Sequence, residues 1–293
     1  GRLDGGAHDR APVSGKDLTL SIDAGLQALG ERMMKGKRGA IVAIEPETGE
    51  ILAMVTAPNY DPVLLSGKSK GENHRALEET FGKPLLNRAI QGNYPPGSTF
   101  KAAQGAIFLA EGAITPQTAF ACYHGYPRLG NRPKCHGHPS PIALVGALTT
   151  SCNAYFCWGM HYLLDDRRFY PSAQVALEHW KQRIVSLGYG YRLGVDLPGE
   201  KRGYIPNSQV YDKAYKGNWN SSTIISISIG QGEILATPLQ IANLAAIIAN
   251  RGTYVRPHVV HSIRNAPLDT AYTNRQQTGI AASDWEYIVQ GMA

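Results

Sequence analysis

The reading turns on one stretch, Tyr94–Gly112, YPPGSTFKAAQGAIFLAEG. Pro95, Pro96 and Gly97 do not belong in a helix interior, so a helix is expected to begin at or near Ser98. Ser98 then stands at the positive end of the helix dipole, among backbone N–H groups with no helical partner. Such groups can also stabilise a developing oxyanion. Lys101 follows three residues later, on the same helix face and within reach of the serine hydroxyl. Phe100, Ala103, Ile107 and Phe108 predict burial of the same helix, and an ammonium held among apolar groups gives up its proton more readily. Ser98 and Lys101 therefore suit a nucleophile and its general base. The plainer reading is a serine N-cap followed by a good helix former. The chain contains this Ser-x-x-Lys once, behind a rigid Pro-Pro-Gly corner.

A second element lies about fifty residues on, in TSCN. Ser151 and Asn153 place a hydroxyl and a carboxamide two residues apart within an otherwise apolar helical pattern. If the backbone there is a loop or helix end, both can converge on one point. Burying them without partners is costly, which favours a polar cavity with something to bond.

The rest of the 293-residue chain is globular in composition, with 43% hydrophobic and 18% charged residues and a net charge of +6. KGKR at Lys35–Arg38 and DDRR at Asp165–Arg168 read as solvated surface or loop, and no basic run is longer, so no nucleic-acid partner is expected. Attraction to an anionic membrane or wall polymer stays open. KDLTLSID reads as a strand, AGLQALGERMM as an amphipathic helix, and GAIVAIEPETGEILAMVTAP as a hairpin turning at EPETG. ALEHWKQRIVSLGYG reads as another amphipathic helix closed by glycine. After a β-branched run and GQG, a helix is expected with Thr237 as N-cap, Pro238 at its first position and Gly252 as C-cap. Strands and helices mix without a βαβ rhythm, so the fold class is α+β. No window has the roughly 18 apolar residues of a membrane span. GRLDGGAHDRAP reads like the interior of a longer polypeptide. Residues 1–16 are expected to be the remnant of an N-terminal pedestal or linker, and 17–293 the functional domain.

GSTFK followed by SCN resembles the first two of three motifs shared by penicillin-binding proteins and serine β-lactamases. The resemblance extends through LTLSIDAGLQALGE, GAIVAIEPETGEILAMVTAPNYDP, LLNRAIQGNYPPGSTFK, LGVDLPGE and SISIGQGEILATPLQIANLAAIIANRG. These stretches look like the transpeptidase domain of class B penicillin-binding proteins of the elongation type, with the Bacteroidetes as expected lineage. The resemblance implies an antiparallel sheet flanked by helices, with a mostly helical subdomain. It implies that Ser98 is acylated by the D-Ala–D-Ala end of a peptidoglycan stem peptide, with its own N–H in the oxyanion hole. Lys101 would take the Ser98 proton, Ser151 would pass a proton to the leaving D-alanine, and Asn153 would orient Lys101 and the donor amide. An amine of a neighbouring stem peptide would then resolve the acyl-enzyme, and β-lactams would stall it. No cofactor is implied for catalysis. A membrane glycan polymerase is the implied partner, and the implied location is the periplasmic face of the inner membrane, anchored by a segment upstream of this chain.

One departure is serious. The third motif, Lys-Ser/Thr-Gly, is absent; QQTGIAA offers Thr278–Gly279 with Gln277 in the lysine's place. The C-terminal strands carrying that motif are therefore expected beyond Ala293, within roughly 40 codons by the family's spacing. A non-catalytic penicillin-recognising sensor or scaffold, and a D,D-carboxypeptidase or β-lactamase, are the competing readings.

Cys122, His124, Cys135, His136 and His138 share one irregular segment just before SCN. Two thiolates and an imidazole suffice for a structural zinc, with Cys122, Cys135 and His138 as first ligands and His136 or Cys152 as a fourth. A Cys122–Cys135 disulfide and unpaired thiols are the alternatives. Cys152 and Cys157, five residues apart, are not expected to bridge.

Overall fold

A computed structural model describes residues 12–293, so most of the expected remnant at 1–16 lies outside the described residues. In chain order, β1 (Leu18–Leu20) leads into α1 (Ala24–Met34), whose N-cap Asp23 accepts from the Leu26 N–H. The hairpin follows as β2 (Gly39–Ile44) and β3 (Ile51–Ala57). Two short helices, α2 (Lys70–Glu79) and α3 (Arg88–Gln91), precede α4 (Phe100–Ala110). The irregular segment is closed by β4 (Ala119–Phe120) and β5 (Ile142–Ala143). Five helices come next: α5 (Leu144–Thr149), α6 (Asn153–Asp165), α7 (Ala173–Ser186), α8 (Ser208–Tyr215) and α9 (Pro238–Ala249). The chain finishes with β6 (Thr253–Val255), β7 (Val260–Ile263), β8 (Arg275–Gln277) and α10 (Ala282–Met292).

The strands form four antiparallel pairs, β1–β7, β2–β3, β4–β5 and β6–β8. In β3 the alternation of ILAMVTA buries Ile51, Ala53, Val55 and Ala57 on one face. Helix α1 packs on this strand and caps its free polar groups: the Gln27 carboxamide accepts from Met54 N and donates to Met54 O, at 2.9 and 3.1 Å. A side chain thus does what a neighbouring strand would otherwise do for an edge. The turn at EPETG is closed by Glu45, whose carboxylate accepts from the Thr48 N–H and hydroxyl. That local hydrogen bonding holds the Glu45 carboxyl below its usual range.

A larger helical core surrounds α4. Residues Phe100 to Phe108 are all buried. Phe100 meets the edges of Trp180 and Tyr189 at 6.4 and 5.4 Å, and Phe108 tilts against Phe156. Aromatic rings at such spacings supply much of the apolar burial that offsets chain entropy.

Two local expectations are refined, and one run that the sequence leaves unassigned takes shape. The helix foreseen at Ser98 starts as a 3₁₀ turn, Gly97–Thr99, and becomes α-helical only at Phe100. The β-branched run at SISI is a 3₁₀ helix, Ile225–Ile229, because it packs lengthwise against α6 and ends in a left-handed Gly230. Helix α9 has the expected Thr237 cap, with Gln240 completing a capping box, but its C-cap is Asn250 rather than Gly252.

Candidate active site

The catalytic candidates come from two walls that meet. The first is the turn Gly97–Thr99 and the start of α4, which leave Ser98 exposed and bury Lys101 to 2% exposure. The second is a break between α5 and α6. The helical pattern around SCN is interrupted there: Ser151 has φ of +54°, and Cys152 is the N-cap of α6, its sulfur accepting from the Tyr155 N–H. A left-handed backbone costs a non-glycine residue roughly 1–3 kcal/mol and persists where surrounding contacts enforce it. Here the enforcing contact is Lys101, whose Nζ donates to the Ser151 carbonyl at 2.7 Å.

The same ammonium donates to Ser151 Oγ at 3.0 Å and to Asn153 Oδ1 at 2.6 Å. These partners use all three of its protons. Ser151 Oγ in turn donates to Ser98 Oγ at 2.9 Å. The structure therefore brings Ser98, Lys101, Ser151 and Asn153 together, but Ser98 reaches the lysine through Ser151 rather than by a direct hydrogen bond. Burial pulls Lys101 down to about 8, while the sulfurs of Cys135, Cys152 and Cys157 favour its charged form. At that value roughly a tenth of the lysine is neutral at pH 7, enough to accept a proton. Phe156 lies 5.7 Å from Nζ and contributes to the dry surroundings.

Sequence reasoning missed what holds these walls. One turn beyond Lys101, the buried Gln104 accepts from Trp180 Nε1 at 2.7 Å and donates to the Ile227 carbonyl at 3.2 Å. This fixes the 3₁₀ helix beside α4. Its end, Gly230, accepts from the Gly97 N–H at 2.9 Å. A Cβ at Gly230 would collide with the Gly97 carbonyl and lie 2.6 Å from Phe100 Cβ. The GQG run is therefore a backbone clamp on the turn bearing Ser98. On the other wall, Asn153 Nδ2 donates to the Lys134 carbonyl at 2.7 Å, so the cysteine-bearing loop orients the asparagine. The spacing of Gln104 after Lys101 was the one readable signal for the first of these.

The Thr-Gly of QQTGIAA is elsewhere. Thr278 donates to the Gly252 carbonyl, and Thr278 and Gly279 carbonyls accept from Ser186 and Arg183 of α7. This segment ties β8 to the helical core and contributes nothing to the Ser98 site.

The four cysteines are free thiols, so the Cys122–Cys135 disulfide is not formed. Cys122, Cys135, His138 and Cys152 instead bring their ligand atoms within 4.8 Å of one another. The fourth member is Cys152; His136 stays exposed outside the set. His138 Nδ1 is engaged by the Pro139 carbonyl at 2.8 Å, which leaves Nε2 with a lone pair, buried and without a partner. Cys135 and Cys152 sulfurs are 3.9 Å apart. Tetrahedral zinc with bonds of about 2.3 Å spaces its sulfurs by roughly 3.8 Å, so the residues fit that ion. Cys135 is the more acidic thiol of the pair, since the Cys152 S–H and the Ala154 N–H both donate to it, and Cys152 is correspondingly raised. Cys157 is apart, buried against Ser228 at 3.4 Å.

Residues 39–293 match the family model described as the penicillin-binding protein transpeptidase domain. The chain belongs to that family. Among curated relatives, the transpeptidase domain is 37% identical over 269 residues to the peptidoglycan D,D-transpeptidase MrdA of Acinetobacter baumannii, covering 87% of this chain and 38% of the relative. It is 31% identical to MrdA of Escherichia coli over 289 residues, or 96% of this chain and 44% of that one. The chain thus spans about two fifths of the curated relatives it matches. Among solved structures, Pseudomonas aeruginosa PBP2 in complex with WCK 5153 superposes with a TM-score of 0.78 at 32% identity, over 96% of this chain and 62% of that one. A structure titled for the coordination of polymerization and crosslinking by a peptidoglycan synthase complex gives 0.78 at 30% identity, over 94% and 48%. The complex of PBP2 and MreC from Helicobacter pylori gives 0.73 at 25%, over 94% and 48%. The transpeptidase fold expected from the motifs is the fold observed. Among the described residues no helix of the transpeptidase domain is long and apolar enough to cross a membrane.

Proposed function

We propose that this chain is the catalytic part of an elongation-type peptidoglycan D,D-transpeptidase. The observation that carries the reading is the chain of hydrogen bonds from Lys101 through Ser151 to Ser98, with Asn153 on the same ammonium. Ser98 Oγ attacks the D-Ala–D-Ala carbonyl as its proton passes by Ser151 to neutral Lys101. Breakdown of the tetrahedral intermediate needs a proton on the departing D-alanine nitrogen, and Ser151, fed by the Lys101 ammonium, delivers it. The amine of a neighbouring stem peptide then attacks the acyl-enzyme, with the same pair running in reverse. No cofactor takes part in this chemistry. β-Lactams acylate Ser98 in the same way and are not displaced.

A strand with Lys-Ser-Gly or Lys-Thr-Gly belongs to this reading, as do an upstream membrane anchor and a periplasmic location. A membrane glycan polymerase as partner is supported by the neighbour whose title joins polymerization to crosslinking. The test is labelling of the full-length protein by a fluorescent penicillin. Full labelling of wild type and none of Ser98→Ala is expected; equal labelling of both sinks the assignment. Release of free D-alanine without cross-linked product favours the carboxypeptidase reading instead.

We also propose a structural zinc held by Cys122, Cys135, His138 and Cys152. The orphaned His138 Nε2 and the sulfur spacing support it. The ion would pin the loop that supplies the Lys134 carbonyl and the residue between Ser151 and Asn153. Metal analysis of the purified protein should give about one zinc per chain, lost in Cys122→Ser. Equal zinc in both proteins excludes the site.

A further inference from the structure

The thiol cluster has a second chemistry available to it. Cys135 and Cys152 have sulfurs 3.9 Å apart, with Cys122 and His138 completing the group. Cys152 is wholly buried and Cys122 nearly so, whereas Cys135 is partly open to solvent. Its sulfur also accepts the Ala154 N–H at 3.3 Å, which holds it against the first turn of α6 beside Cys152. An oxidant in solution therefore meets Cys135 first and finds Cys152 as the resolving thiol behind it.

We propose that Cys135 and Cys152 form a peroxide-driven disulfide that switches off the active site. The consequence rests on the transpeptidase and zinc readings above; the thiol chemistry does not. In the first step the Cys135 sulfur attacks one oxygen of hydrogen peroxide. The O–O bond breaks, a sulfenic acid forms and one water leaves. In the second step the Cys152 sulfur attacks the Cys135 sulfur, the S–O bond breaks and a second water leaves. Two thiols are oxidised and one peroxide is reduced. Closing the pair to an S–S bond of about 2.05 Å draws the two sulfurs together by nearly 2 Å.

That movement falls on the catalytic wall. Cys152 is bonded on either side to Ser151 and Asn153, and Cys135 follows Lys134, whose carbonyl orients the Asn153 amide. The disulfide also removes two of the four metal ligands. A bond between Cys122 and Cys135 would leave Cys152 untouched, so the identity of the bonded pair decides between the two outcomes.

The experiment treats the full-length protein with hydrogen peroxide, once after chelation and once loaded with zinc. Disulfides are mapped by peptide mass, and acylation by a fluorescent penicillin is timed. The expected result is a Cys135–Cys152 peptide 2 Da lighter than its two thiols. Acylation should fall at least about tenfold and recover on reduction with a phosphine, and zinc should slow the oxidation at least about tenfold. A Cys122–Cys135 bond, no bond, or a Cys135–Cys152 bond with unchanged acylation overturns the inference. Equal oxidation rates with and without zinc count against the metal site alone and leave the disulfide result to stand. If the reduced protein takes no penicillin, the transpeptidase reading fails, and the mapped pair decides the disulfide by itself.

Discussion

The two walls of the site are built on different physics. The Ser98 wall is held by packing: α4 is buried along nearly its whole length, and Gly230 presses on Gly97 with no room for a side chain. The Ser151 wall is held by polar and sulfur contacts: a left-handed serine under Lys101, an asparagine under a loop carbonyl, and a thiol as helix cap. Packing is insensitive to pH and oxidants, whereas thiols answer to oxidants and ammonium groups to pH. The proposed nucleophile and its base thus both sit on the packed wall, and Ser151, which carries the proton between them, sits on the polar one.

Three measurements can break or sharpen this contrast. The largest effect is expected for Ser151→Ala, which removes the bridge between Ser98 and Lys101. Penicillin acylation should fall by about a thousandfold while the unfolding midpoint stays close to wild type. A fall of less than about tenfold would mean that Lys101 reaches Ser98 directly. Next is the pH profile. Lys101 must be neutral to accept a proton, and its value of about 8 lies below that of an ordinary lysine. Acylation should rise about tenfold per pH unit below 8 and level off above it. A plateau reached already at pH 6 would remove Lys101 as the base. The smallest catalytic effect is expected for Gln104→Leu. Trp180 Nε1 and the Ile227 carbonyl lose their partner in the core, costing about 2–4 kcal/mol of stability. Acylation per folded molecule should drop by less than about tenfold, because Ser98 keeps its turn. A loss like that of Ser151→Ala would put this wall on the same polar footing as the other.

The same contrast explains what was legible in the sequence. The Ser98 wall was, because Pro-Pro-Gly, a Ser-x-x-Lys spacing and an apolar run are local signals with local causes. Thr237, Pro238 and the EPETG turn were legible for the same reason. The Ser151 wall was half visible. SCN marked a polar interruption, but the break at Ser151 depends on a lysine fifty residues away, and cysteine is not a usual N-cap. SISI reads in sequence only as a β-branched run, with no element assigned, because such residues lean toward a strand whereas packing against α6 makes the run a 3₁₀ helix. The clamp at Gln104, Trp180 and Ile227 joins three separate segments, so no window of sequence contains it. The cysteine loop showed its ligand types but left the fourth member open between His136 and Cys152, a choice set by where α6 begins.

Gly230 has a consequence for drug resistance. Any side chain there meets the Gly97 carbonyl and Phe100, so no substitution at Gly230 leaves the turn that bears Ser98 undisturbed. The loop from Cys122 to His138 carries most of its side chains toward solvent and reaches the site through the Lys134 carbonyl and the Cys135 sulfur. On the function proposed above, selection by a β-lactam meets a loop it can remodel in small steps and a glycine it must leave as it is.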